Sequence, residues 1–375
     1  MPLPLRRLET RCLFTPADLP PSREGFEVVG AFNPAATRTE DGRVAMLVRV
    51  AERPAETRDG HVASPRYTAD GDVAIDWIDT DRVSQLDPRM VVFKDTGFKR
   101  LTFLNHLRLV YLKPDGVTLD TVGPVVDYHA PHAVFGLEDP RIAPLGGRYL
   151  VTAAAASFHG VCTVVLGTED FVNYTDHGIG FCRENKDVVI FPEKINGHHL
   201  AIHRPTGKFE VSQPEMWLAS SPDLTHWGRH RPLWGSGDTR SSGQTSGGGG
   251  WDSGRVGGGV PPIRIDTADH RGWLVIYHAS CRPEPGEPIG VYAAGALLLD
   301  IDDPARVRMA TPDAFMRPEA DFERQGFVKA VVFPTGFARD GDDLLLYYGA
   351  ADTHVGVVRY RLNELLDELV PMDPT

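Results

Sequence analysis

Apolar residues in this chain gather into short runs rich in Val, Ile, Leu and Tyr, each closed by Gly, Pro, Asp or Asn. RVAMLVRV, RYLVTAAAA, VCTVVLG, HHLAIHR, MWLASS, GWLVIYHAS, AAGALLLD and DLLLYYGAAD are examples. Runs of this length, bounded by turn formers, are strands rather than helices. Sustained helical spacing is confined to LNELLDEL, which predicts a short terminal helix near residues 361–369, outside the core. The class predicted is all-β, and the 375 residues suffice to bury a large core, read as a single domain, 1–375. Two segments echo one another: GTEDFVNYTDHG at 167–178 and ASSPDLTHWGRH at 219–230 each place a strand end, an acidic turn, an aromatic residue and then Gly or His. A recurring strand-and-turn unit suggests radially repeated sheets, with a sandwich or jelly roll as the competing arrangement. GSGDTRSSGQTSGGGG, residues 235–250, reads as a flexible Gly/Ser-rich loop within that domain.

The net charge of −12 argues against a nucleic-acid partner, because phosphate backbones demand surplus Lys and Arg. Any anion bound here must meet a local basic pocket. No apolar run reaches the roughly 18–20 residues of a membrane span, and MPLPLRRLETRC lacks the apolar core of a signal peptide. A cytoplasmic, membrane-free protein is therefore expected. Cys12, Cys162, Cys182 and Cys281 are widely separated and form no metal-binding spacing, so neither zinc nor a disulfide is implied.

Polar residues concentrate in a few apolar settings. In Phe135-Gly136-Leu137-Glu138-Asp139-Pro140-Arg141-Ile142, adjacent carboxylates sit beside Pro and Arg at a strand end; a capped turn with a Glu138–Arg141 pair is the structural alternative. Lys186 to Lys194, followed by His203-Arg204-Pro205, places basic groups where a strand closes, and a guanidinium fork there matches phosphate or carboxylate. Trp251 to Pro262 sets Arg255 among glycines that allow close backbone approach, but it lacks the spacing of a nucleotide loop. Ile276-Tyr277-His278 and Tyr347 to Asp352 are strands ending in polar groups.

Taken in order, these clusters resemble the mannoside phosphorylases of glycoside hydrolase family 130. The resemblance runs from Phe32-Asn33-Pro34-Ala35 and Val48-Arg49 through GLEDPRI, KDVVIFPEKI, HRP, SPDLTHWG, VGGGVPPI, IYH, LLLDIDDP, VVFPTG and YYGAAD. It implies a five-bladed β-propeller with the active site in the central channel, and inverting phosphorolysis of a β-mannoside to α-mannose 1-phosphate. Asp139 would be the proton donor, relaying its proton through a sugar hydroxyl. Arg204, Arg255, His278 and Lys194 would hold phosphate, and Asn33, Arg49, Glu138, Arg141 and Asp352 would meet the mannoside. Inorganic phosphate is then a co-substrate, with no metal or organic cofactor implied. An inverting displacement by phosphate can dispense with the second carboxylate that hydrolases use to activate water. The chain departs from the family pattern at Arg255, where Lys is expected, at Lys329-Ala330, where Asn commonly precedes VVFP, and in the Gly-rich insert. An inverting β-mannosidase on the same scaffold is the competing enzyme reading, and a glycan-binding propeller the non-enzymatic one. Acceptor sugar, linkage, chain length and oligomeric state, a homo-oligomer included, depend on loops outside these motifs.

Overall fold

In the computed structural model, residues 5–206, 214–235, 250–284 and 289–372 are described, without the side chains of 85–87. The chain is all-β, built around five antiparallel sheets. The Gly/Ser-rich stretch at 236–249 lies outside the described residues.

Sheet I comprises Phe26–Arg38, Val44–Pro54, Leu104–Leu112 and Leu119–Val125. Sheet II follows as Leu137–Leu145, Arg148–Ser157, Gly160–Thr168 and Thr175–Phe181. Sheet III is Asn185–Ile190, His199–Pro205, Glu215–Ser221 and Gly228–Gly235. In sheet IV, Arg255–Gly258 and Ile263–Asp266 both pair with Arg271–Ser280, which is followed by Tyr292–Leu299 and Val307–Ala310. Sheet V takes Val332–Asp340, Asp343–Ala350 and His354–Arg361, and its fourth strand is Glu9–Phe14 from the other end of the chain.

The apolar runs of the sequence are the second and third strands of these sheets. Val44–Pro54, Arg148–Ser157, Arg271–Ser280 and Asp343–Ala350 are buried on both faces, which is why they read as continuous rather than alternating. Each sheet shares one apolar cluster with the next: Leu47 and Leu107 with Val151 and Leu166, then Leu150 and Val165 with Ile190 and Ala219. Ile202 and Leu218 meet Trp273 and Leu297, Leu274 and Leu298 meet Leu344 and Tyr360, and Tyr347 and Val357 return to Val48 and Val110. Each buried Val, Leu or Ile among them contributes roughly 1.5–3 kcal/mol. The C-terminal helix spans Leu362–Asp367, but contrary to expectation it belongs to the core. Leu362, Leu365 and Leu366 are buried in the cluster between sheets IV and V.

The internal echo has a physical basis. Between the third and fourth strands of sheet II, Asp170 Oδ1 accepts from the backbone N–H groups of Val172 and Asn173, while Thr168 Oγ1 accepts from Phe171. In sheet III, Asp223 Oδ1 and Ser221 Oγ do the same for Thr225, His226 and Leu224. An Asp in this position offers the backbone a turn by mimicking its hydrogen bonds.

Two small sheets interrupt sheet I between its second and third strands: the hairpin His61–Tyr67 with Val73–Asp79, and Val83–Asp87, Met90–Phe93 and Lys99–Leu101. This insertion brings Arg89, Met90, Lys99 and Leu101 to the cavity described next.

Candidate active site

The first strand of a sheet carries most of the site. In sheets I, II and III that strand is bulged, its pairing register shifting across Phe32–Ala35, Glu138–Arg141 and Lys186–Val189. Each bulge holds one polar residue in the left-handed region: Asn33 at φ 46°, Asp139 at 48° and Asp187 at 55°. Asn and Asp tolerate this conformation best among residues with a Cβ. A bulge re-aims a side chain that the pleat would otherwise send into the sheet stack. Gly349 of sheet V makes room for the first of them, because a Cβ there would lie 1.7 Å from Asn33 Oδ1.

These side chains converge on a cavity of about 480 Å³, within the size range of small-ligand sites. Its charged lining consists of six cations, Arg49, Arg89, Lys99, Lys186, Arg204 and Arg255, against five carboxylates, Glu138, Asp139, Glu184, Asp187 and Asp352. The site is thus locally positive in a chain of net charge −12.

At one end, Asp139 is 8% exposed, and its Oδ1 accepts from Asn33 Nδ2 and Arg49 Nη1, each at 2.7 Å. Lys186 Nζ lies 3.9 Å from the other oxygen. Burial works to raise the pKa of Asp139, but Arg49, Lys186 and Arg141 together outweigh it and hold the carboxyl well below the usual range. Glu138 accepts from Asn105 Nδ2 at 3.0 Å and from Lys186 at 2.9 Å, with Arg49 Nη2 at 3.4 Å. Asp352 pairs with Arg89 at 2.8 Å, and burial raises its pKa despite that partner.

At the other end, Arg204 and Arg255 line the cavity with Tyr292, whose hydroxyl accepts from Arg255 Nη1 at 3.3 Å. Nε and Nη1 of Arg204 are buried without a hydrogen-bond acceptor among the described residues, although Nη1 lies 3.1 Å from Asp187 Oδ2 as an ion pair. Arg204 and Arg255 thus bring two guanidinium charges to one wall of the cavity, the kind of group that pairs with phosphate or carboxylate.

Three expected site residues are placed elsewhere. Lys194, four residues past the end of the strand Asn185–Ile190, is exposed and does not line the cavity; Lys186, near the start of that strand and paired in register with Arg204, occupies the site instead. His278 is fully buried behind the lining, stacked 3.8 Å from the Phe333 ring and 3.5 Å from Asp187. Burial pushes its pKa down to about 3, so it is neutral near pH 7. Arg141 is 1% exposed and acts as a strut, donating to the carbonyls of Asp139, Gly258 and Gly259 rather than facing the cavity. Sequence reasoning also missed Asn105, Tyr292, Arg89 and Asp187. The common position of Asn33, Asp139 and Asp187 on successive first strands was the signal that could have identified Asp187. Among the described residues no cluster of three or more His, Cys, Asp or Glu is arranged to hold a metal.

The family model described as beta-1,4-mannooligosaccharide phosphorylase matches residues 119–370. A beta-1,2-mannobiose phosphorylase from Listeria innocua serovar 6a is 39% identical over 370 residues, 97% of this chain and 98% of that one. A 1,2-beta-oligomannan phosphorylase from a Thermoanaerobacter species is 34% identical over 64% of this chain and 74% of its own. The solved structure of the Listeria innocua beta-1,2-mannobiose phosphorylase with beta-1,2-mannobiose superposes with a TM-score of 0.84 at 38% identity, covering 95% of this chain and 96% of that one.

Proposed function

The chain belongs to glycoside hydrolase family 130, and from that premise we propose that it is a glycoside phosphorylase acting on β-mannosides. It cleaves a β-mannosidic bond with inorganic phosphate and inverts the anomeric centre to give α-mannose 1-phosphate. One observation carries this reading: a single cavity is lined by the buried carboxylate of Asp139 together with two guanidinium groups, Arg204 and Arg255.

The five sheets are read as blades of a propeller with the cavity at its channel. Five apolar clusters joining the sheets in cyclic succession support this, as does the N-terminal strand completing sheet V. Cytoplasmic action fits four free cysteines and the absence, among the described residues, of a helix long and apolar enough to cross a membrane.

Mannose lies at the Asn33, Arg49 and Asp352 end, and phosphate at the Arg204, Arg255 and Tyr292 end. The C1–O bond to the leaving sugar breaks as a phosphate oxygen bonds to C1 from the opposite face. The leaving oxygen gains a proton, relayed from Asp139 through a sugar hydroxyl, and hydrogenphosphate loses one, so protons balance. Asp139 is ionised in the free enzyme, and its proton comes with the substrates. A phosphate dianion competing for Lys186 and the arginines weakens their hold on the Asp139 carboxylate and raises its pKa.

A hydrolase would need a second carboxylate free to activate water. Of the other carboxylates on the cavity, Glu138 is committed to Arg49, Asn105 and Lys186, Asp352 to Arg89, and Asp187 to Arg141 and Arg204, while Glu184 accepts from the Val161 backbone N–H. The reverse direction tests the proposal: with α-mannose 1-phosphate and mannose, the enzyme releases inorganic phosphate and forms a β-mannobiose. No phosphate release across a panel of mannose and manno-oligosaccharide acceptors would refute it.

A further inference from the structure

Asp187 is a carboxylate placed where an anion is to be bound, an arrangement that simple electrostatics disfavours. It is 4% exposed and sits in the strained bulge of sheet III, yet it gathers groups from three sheets. Its Oδ1 lies 3.3 Å from Arg141 Nη2 of sheet II. Its Oδ2 lies 3.1 Å from Arg204 Nη1 of sheet III and 3.5 Å from His278 Nε2 of sheet IV. The backbone of sheet IV is shaped around it, since a Cβ at Gly257 would stand 2.4 Å from Oδ2 and one at Gly258 2.7 Å from the Asp187 carbonyl oxygen. Arg141 also donates to the carbonyls of Gly258 and Gly259, three residues beyond Arg255 at the nearest.

We propose that Asp187 is the positioning residue of the phosphate end: it anchors Arg204 and, through Arg141, the glycine strand bearing Arg255, so that both guanidiniums present their donors to one anion. This rests on the phosphorylase reading and goes beyond it by naming what holds the phosphate-binding groups in place. Arg204 carries a flexible side chain, and a guanidinium held by one fixed ion pair loses less freedom when an anion arrives. An angstrom of misplacement in such a group costs up to about 10²-fold in rate.

Two physical effects give opposite predictions for Asp187→Asn. Removing a negative charge beside the cavity favours an incoming anion, whereas releasing Arg204 and Arg141 disfavours it. Positioning predicts that the KM for phosphate rises at least about tenfold while the KM for the mannoside stays within about twofold. In synthesis, the KM for α-mannose 1-phosphate rises and that for the acceptor does not. Asp187→Glu does not rescue, because Gly257 leaves no room for another methylene. A folded Asp187→Asn enzyme with an unchanged or lower phosphate KM overturns the proposal, as does an equal rise in both KM values. Should Asp187→Asn fail to fold by thermal melt, Gly257→Ala crowds Oδ2 without removing charge and is expected to raise the phosphate KM selectively; an unchanged phosphate KM in folded Gly257→Ala overturns the proposal equally. Wild-type turnover that needs no phosphate would defeat the phosphorylase reading itself. Phosphate-dependent wild-type turnover with an indifferent Asp187→Asn defeats the positioning role alone.

Discussion

Replacing Asp139 with Asn removes a proton donor and a buried charge at once, and the structure separates the two effects. Breaking a buried ion pair from one side costs about 3–5 kcal/mol when the remaining charge is stranded. Here Arg49 keeps Asn105 Oδ1 at 2.8 Å and Glu138 Oε1 at 3.4 Å, and the amide oxygen can still accept from Asn33. The expected loss is therefore nearer about 2 kcal/mol. With an unfolding entropy of roughly 2.1 cal/mol/K per residue, that lowers Tm by about 2–3 °C, and the protein stays folded at 25 °C. Turnover of a manno-oligosaccharide falls by about 10²- to 10⁴-fold, equivalent to about 3–5 kcal/mol of barrier. A nitrophenyl β-mannoside, whose leaving group departs without a proton, loses only about tenfold. The assay compares kcat for the two substrates at saturating phosphate, with thermal melts of both proteins. Equal deficits on the two substrates, or a folded variant keeping more than about a tenth of wild-type turnover on the manno-oligosaccharide, would refute the acid role of Asp139.

Gly349→Ala places a methyl 1.7 Å from Asn33 Oδ1; we expect a loss of about 1–3 kcal/mol in stability and at least a tenfold fall in kcat/KM, read by melts and kinetics, and wild-type kinetics would show that Asn33 does not support Asp139. Stability also falls in acid. His106, His203 and His278 are buried, each with its pKa pushed down to about 3, so the unfolded chain takes up protons first and stability drains away as pH falls from about 6.5 toward 3. At pH 5 each costs about 2 kcal/mol relative to pH 7, and Tm should drop by about 5–10 °C, whereas a Tm constant to within a degree between these pH values would contradict the burial of neutral imidazoles.

The strands and the paired carboxylates were legible because their signals are local. Apolar runs bounded by turn residues became the middle strands, and the repeated Asp turn at Asp170 and Asp223 follows from hydrogen bonds within four residues. What escaped depended on distant partners. Nothing near Glu9 announces that it pairs with Arg359 to complete a sheet. Lys194 was preferred to Lys186 because both are basic ends of one motif, and only the register opposite Arg204 separates them. The resemblance assigns His278 to phosphate and Arg141 to the mannoside, because a family motif carries residue identity but not which side chain reaches the cavity. Phe333 covers the first, and the carbonyls of Gly258 and Gly259 occupy the second. Arg89 reaches the site from an insertion whose sequence resembles any surface hairpin.

The phosphorylase account is tested most directly by the products of the wild-type enzyme on β-mannobiose, with and without phosphate, resolved by ³¹P and ¹H NMR. It predicts α-mannose 1-phosphate and mannose in equal amounts when phosphate is present and no cleavage when it is absent. Free mannose as the sole product, formed at the same rate in both samples, would contradict it.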